Sequence, residues 1–329
     1  MKRKERFGDF PETVFMFSGQ GSHYFQMGRA LYEGNGTYRE WMDRLDCIAK
    51  DLCGASVTQA LYSEAHGKAD PFERTLLTHP AIFMVEYSLA QSLERSGVLP
   101  DMVLGVSLGS FAAAAIAGCI GVEDALRAVI QQAIVLEQYC ERGGMTAVLA
   151  PSTIFAEQFM ADHSDLAAAN FSSHFVISAR RPDLTDIEAT LKKRNICYQR
   201  LPVSFAFHSR WIDSAKGPFE TFMRSISFKA ANRSLVCCHE KRTVSSLYDG
   251  YFWSVVRHPV RFQEIIEQLE QRGPYRYIDV GPSGTLAAFL RYCLPATTVS
   301  TIHSILTPFG RDRENLEAVL ADLALHSCR

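Results

Sequence analysis

With 329 residues, 47% of them hydrophobic, the chain can bury a large core in one big domain or in a domain that carries an insertion. Its 34 Lys and Arg against 36 Asp and Glu leave a formal net charge of -2, which offers no basic footprint to nucleic acid or to an anionic membrane surface. No apolar run approaches the roughly 18 to 20 residues of a membrane span, and the basic start MKRKERFGDF turns polar again too soon after PETVFMFSG for a signal peptide, so a cytoplasmic protein is expected. Nine cysteines form no C-x-x-C pair and no zinc-type spacing. They read as reduced thiols, Cys237-Cys238 in SLVCCHE as a buried strand end, and no metal site is expected.

In chain order, TVFMFSGQG is a short apolar strand that ends in a glycine-rich turn. AIFMVEYSLAQSLERSG has helical apolar spacing closed by Gly97, and DMVLGV is a second strand. This alternation predicts a parallel sheet with flanking helices, the α/β class. From GGMTAVLA the rhythm changes: Ser152 to Asp165 reads as helix, FVISARR as strand, LTDIEATLKKRNI as helix and CYQRLPV as strand. That unit fits a small ferredoxin-like insertion. The expected division is a large domain over residues 1-140 and 206-329, and a small one over 141-205.

Between the second strand and an alanine-rich helix lies Gly105-Val106-Ser107-Leu108-Gly109. Two readings fit it: a nucleophile elbow, whose sharp turn lifts a serine hydroxyl above the sheet, or a strand-to-helix loop whose serine caps the helix. A serine attacks only when a base takes its proton. His208, just after the apolar stretch in LPVSFAFHSR, is the candidate base, with a structural histidine as the alternative. The oxyanion of an attacked carbonyl needs N–H donors. Leu108, directly after the serine, and Gln20 in FSGQGSHY are positioned to supply them, unless the second segment is simply a turn.

FMFSGQGSHYFQMG, GVSLGSFAAA, FAFHS, HPVRF and DVGPSGTLAAFL stand in one order and spacing. Together they resemble the acyltransferase family of bacterial malonyl-CoA:acyl carrier protein transacylase and the acyltransferase domains of polyketide synthases. The resemblance runs from about Thr13 to Leu306. It implies an α/β-hydrolase-like large domain with an inserted ferredoxin-like small domain, Ser107 as the acylated nucleophile and His208 as its base. It also implies the Gln20 and Leu108 amides as the oxyanion hole. A backbone carbonyl near Val255, in FWSVVRHPVRF, would orient the base, leaving Asp213 as a helix cap and Asp279 as a strand-end acceptor. The implied partner is an acyl carrier protein, and no cofactor is implied beyond its 4'-phosphopantetheine arm.

The chain also departs from that family. Members that load malonyl groups carry an arginine, in the helix after the elbow helix, that pairs with the free carboxylate. In GVEDALRAVIQQAIVLEQ that position falls on Gln132; Arg127 takes it only if the register slips by about one turn. Burying an unpaired carboxylate there costs several kcal/mol. Val106 replaces the histidine common before the serine, His79 in THPAIF replaces a glutamine, and Phe207 matches the malonyl type. With Asn170 and His174 in NFSSHFVISA, the chain is similar to discrete acyltransferase homologues of trans-acyltransferase polyketide synthases, which include acyl hydrolases acting on uncharged groups. Three readings follow from the resemblance: hydrolase, transacylase, and docking homologue without catalysis.

Overall fold

The computed structural model describes residues 11–327, and the basic start MKRKERFGDF lies outside the described residues. Its strands are β1 (Glu12–Phe17), β2 (Met102–Gly105), β3 (Gly143–Val148), β4 (Asp165–Phe171), β5 (His174–Arg180), β6 (Tyr198–Arg200), β7 (Ala230–Cys237), β8 (Arg242–Ser246), β9 (Val260–Arg261), β10 (Tyr275–Asp279) and β11 (Thr301–Ser304). The large sheet runs β11-β10-β1-β2-β7-β8, parallel throughout except for the β7–β8 pair. Its central strands read as unbroken apolar runs because helices cover both faces. Val14, Phe15, Met16 and Phe17 of β1 are fully buried. The helix Thr75–Arg95, buried along most of its length, packs against the helix Val122–Tyr139 and the elbow helix Gly109–Ile116.

The small sheet runs β6-β3-β5-β4-β9. Its pairs are antiparallel except β4–β9. β3 to β6 and the helix Arg181–Lys193 fall within 141–205, but β9 arrives from the second large-domain segment, pairing Ala168 with Val260 and Ala169 with Arg261. The two units are therefore joined by a shared ladder as well as by the chain.

β4 is a strand that the sequence reading did not contain. DLAAANF is rich in alanine, a weak strand former, and its extended form comes from pairing with β5 and β9. The residues before it form a 3-10 turn, Ser152–Ala156, and one helical turn, Gln158–Ala161, instead of one helix. CYQRLPV is a strand only over Tyr198–Arg200, cut short as Pro202 approaches. With β4 included, the insertion has the strand-helix-two-strands-helix-strand order of a ferredoxin-like unit.

Side-chain alternation gives the small sheet two roles. Phe175 and Ile177 of β5, with Val148 of β3, turn toward Leu184, Ile187 and Leu191 of the helix Arg181–Lys193 and make a second core. Val176 of β5, with Met145 and Ala147 of β3, turns the other way, onto a cavity shared with the large domain. Among the described residues no helix is long and apolar enough to cross a membrane, and all eight described cysteines are free.

Candidate active site

The turn after β2 places Ser107 at φ 54°, a left-handed conformation that a non-glycine residue holds only where its surroundings enforce it. The enforcement is steric. A Cβ on Gly109 would lie 2.3 Å from the Phe17 carbonyl oxygen, and one on Gly19 would lie 2.9 Å from Ser107 Cβ. The end of β1 therefore lies directly against the elbow. This is an elbow and not a capped loop, because the Ser107 hydroxyl is engaged elsewhere: Oγ lies 2.8 Å from His208 Nε2.

His208 also has a left-handed backbone, φ 59°. Its N–H donates to the Val256 carbonyl at 3.0 Å, and its Nδ1 lies 2.7 Å from the His258 carbonyl oxygen. A carbonyl only accepts, so Nδ1 carries the proton and Nε2 presents a lone pair to Ser107. The orienting carbonyl expected near Val255 is therefore that of His258. Val255 lies inside the helix Tyr251–Arg257, whose carbonyls point along its axis, whereas at His258 the chain turns extended, φ -96° and ψ 159°. No carboxylate takes part. Asp213 pairs with Arg257 at the surface, and Asp279 accepts from the Gly281 and Ala287 N–H groups, its buried carboxyl pushed up to about 6. Burial, opposed by the hydrogen bond to the His258 carbonyl and reinforced by the Arg257 cation and by His239 and His258 when they are protonated, pushes the His208 pKa down to about 4.

A Cβ on Gly19 would lie 3.5 Å from the Leu108 nitrogen, so the turn that carries the Gln20 N–H packs against the elbow at Leu108. Neither that N–H nor the Leu108 N–H donates to an acceptor among the described residues. The Gln20 side chain is held by Thr78, Nε2 to Oγ1 at 2.9 Å. Two preformed, unspent donors next to the nucleophile are what a developing oxyanion requires.

Ser107 and His208 open onto a cavity of about 250 Å³ between the two sheets. Val106 and Phe207 line it, as do Asn170 and His174. Asn170 Nδ2 lies 3.1 Å from His174 Nδ1, and burial lowers the His174 pKa so that the ring stays neutral. The sequence reading missed Met145, Gln199, Leu286 and Phe289, because the small sheet's alternation and the helix Thr285–Cys293 bring them in from distant segments. Among the described residues, no lysine, arginine or carboxylate lines the cavity.

Gln132 and His79 do not line it. Gln132 is on the face of the helix Val122–Tyr139 that packs into the core, 2% exposed, with neither amide atom hydrogen-bonded. His79 is fully buried one layer behind the wall, its ring 5.6 Å from that of Phe207. Burial pushes its pKa down to about 3. Arg127 faces solvent.

Two outcomes follow from this geometry. If His208 serves as the base, its neutral imidazole is the active form and protonation removes it. The acylation rate should hold its neutral-pH value down to about pH 5 and fall with a midpoint near 4, following the His208 value. A midpoint near 6.5, the value of a free histidine, would contradict the buried base. Gln132→Leu removes two unsatisfied buried polar atoms, so it should keep or raise the melting temperature, by about 1 kcal/mol of stability. It should also leave acylation by a butyryl thioester within about threefold of the parent. A folded Gln132→Leu protein acylated more than tenfold slower would place Gln132 at the substrate after all.

Comparison with known proteins agrees with this architecture. The family described as the acyl transferase domain matches residues 14–325. The polyketide biosynthesis acyltransferase homolog BaeD of Bacillus velezensis is 40% identical over 307 residues, covering 93% of this chain and 95% of that protein. PksD of Bacillus subtilis, described in the same words, is 41% identical over 307 residues with the same coverage. Among solved structures, the acyltransferase domain of the second module of the salinomycin polyketide synthase superposes with a TM-score of 0.83 at 28% identity, over 94% of this chain and 73% of that one. A loading acyltransferase of the avermectin synthase shares the fold, with a TM-score of 0.86 at 24% identity over 95% and 99% of the two chains. With the dyad, the elbow and the two-unit fold in place, the chain belongs to the acyl transferase domain family and is an enzyme of that family.

Proposed function

We propose that the chain is an acyl hydrolase of polyketide biosynthesis that removes uncharged acyl groups from the phosphopantetheine thiol of acyl carrier protein. The observation that carries the choice of uncharged groups is the cavity wall: apolar side chains and neutral amides surround Ser107, and among the described residues no guanidinium or ammonium lines it. A malonyl carboxylate would enter without a partner, at a cost of several kcal/mol, whereas a neutral acyl chain only exchanges water for Val106, Met145 and Phe289. The relatives named as polyketide acyltransferase homologs support the pathway.

The steps balance on the residues present. His208 Nε2 takes the Ser107 proton as Oγ attacks the thioester carbonyl, and the oxyanion rests on the Gln20 and Leu108 N–H groups. Collapse breaks the carbon–sulfur bond, His208 returns its proton to the departing thiol, and acyl-Ser107 remains. Water then attacks the ester while His208 takes its proton. That proton passes to Ser107 Oγ as the carboxylic acid leaves.

Butyryl-loaded carrier protein, supplied with the enzyme and an excess of unloaded holo carrier protein, tests the reading. Intact masses should show a butyryl adduct on the parent and none on Ser107→Ala, and free butyrate should accumulate faster than butyryl appears on the second carrier. Butyryl moving to the second carrier without free acid would make the enzyme a transacylase. An adduct surviving on Ser107→Ala would remove the assigned nucleophile.

A further inference from the structure

The turn that presents the Gln20 N–H is tied to a buried acid on another element. Glu86, the lone carboxylate in the apolar run AIFMVEYSLA of the helix Thr75–Arg95, is fully buried. Its Oε1 accepts from the Ser18 N–H at 2.6 Å and lies 3.0 Å from Ser18 Oγ. Ser18 Oγ in turn lies 3.0 Å from Ser22 Oγ, and the Ser22 hydroxyl donates to the Gly19 carbonyl at 2.8 Å. That carbonyl and the Gln20 N–H are the two ends of one peptide unit.

Proton counting fixes the direction of this chain. Three oxygen-to-oxygen contacts link Glu86 to Ser18, Ser18 to Ser22, and Ser22 to the Gly19 carbonyl, but the two serines supply only two protons. The carbonyl has none to give, so the Ser22 proton points at it. The Ser18 hydroxyl has one proton for two acceptors, Glu86 Oε1 and Ser22 Oγ, and a neutral Glu86, the weaker acceptor, leaves it to Ser22. An ionised Glu86 would draw the Ser18 hydroxyl to itself and break the chain in the middle. The surroundings agree. Burial raises the Glu86 pKa well above the usual carboxylate range, and Oε2 has no partner to stabilise a charge. The ionisable group acting on Glu86 from a packed neighbour is Asp279, at the end of β10. Once Asp279 ionises, Glu86 holds its proton more firmly.

We propose that Glu86 is a positioning residue that, as a neutral acid, orients and polarises the Gly19–Gln20 peptide through Ser18 and Ser22, strengthening the Gln20 N–H as an oxyanion donor. A carbonyl that accepts a hydrogen bond draws electron density across its amide, and chained hydrogen bonds reinforce one another in a buried setting. The proposal rests on reading the Gln20 N–H as half of the oxyanion hole, and it holds whether water or a thiol resolves the acyl-enzyme.

The test follows thiol release from butyryl-pantetheine in single turnovers between pH 6 and 10, for the parent, Ser22→Ala, Glu86→Ala and Glu86→Gln, with melting temperatures as the control for folding. Ser22→Ala and Glu86→Ala should lower the maximal acylation rate about tenfold while the half-saturating concentration changes less than twofold. Glu86→Gln, whose neutral amide oxygen still accepts from the Ser18 N–H and cannot ionise, should stay within about threefold of the parent. Where the parent's rate falls at high pH through ionisation of Glu86, Glu86→Gln should not follow it. If Glu86→Ala does not fold, Ser22→Ala breaks the same chain at its far end and carries the test. Parent-like acylation by Ser22→Ala, or a Glu86→Gln protein that folds but is as slow as Glu86→Ala, overturns the relay alone. A parent that forms no butyryl adduct at Ser107 overturns the site reading, and the relay with it.

Discussion

The active site depends on a steric constraint: the ends of β1 and β2 approach so closely that no side chain fits between them. Gly19 meets Ser107 Cβ and Gly109 meets the Phe17 carbonyl at distances a Cβ does not tolerate. That contact holds Ser107 in its left-handed turn and brings the Gly19–Gln20 turn against the elbow at Leu108. It also fixes where the Ser107 hydroxyl can be met, and His208 reaches it from a third segment with its own left-handed backbone. Parallel strands make this convergence possible, since β1, β2 and β10 all end at the same edge of the sheet.

The electrostatics of the site follow from its burial. His208 is oriented by a neutral carbonyl, not by a carboxylate, so no anion supports the imidazolium, and burial keeps the resting ring neutral. The same logic reaches the wall of the cavity, where His174 and Asn170 satisfy each other as neutral groups. Behind the oxyanion turn, Glu86 sits without a cation. A site assembled from neutral groups stabilises charge only where it develops during reaction, at the oxyanion and the imidazolium.

Much of this was legible in the sequence because the chemistry uses short local signals. The glycines around Ser107 and the FSGQG turn mark places where backbones touch, and His208 follows an apolar stretch that ends at the site. The α/β class came from strand and helix alternation, which long apolar runs such as TVFMF carry strongly. β4 was not legible, because DLAAANF is strand only through its neighbours' hydrogen bonds. The carbonyl that orients His208 was misplaced by three residues, since a helix end cannot be fixed that closely from residue types. Gln132 and His79 were drawn to the site by position in an alignment, but their side chains turn into the packing between helices. Glu86 left one signal, a carboxylate inside an apolar helix, whose meaning required knowing that Ser18 lies beside it.

The proposed selection of neutral acyl groups rests on a cavity that, among the described residues, no cation lines. Offering the enzyme equal amounts of butyryl- and malonyl-loaded carrier protein, and quenching within the first turnover, reads that selection directly in the mass of the acyl-enzyme. The butyryl adduct should exceed the malonyl adduct by at least about tenfold, as an unpaired buried carboxylate requires. Equal adducts, or a malonyl excess, would contradict it.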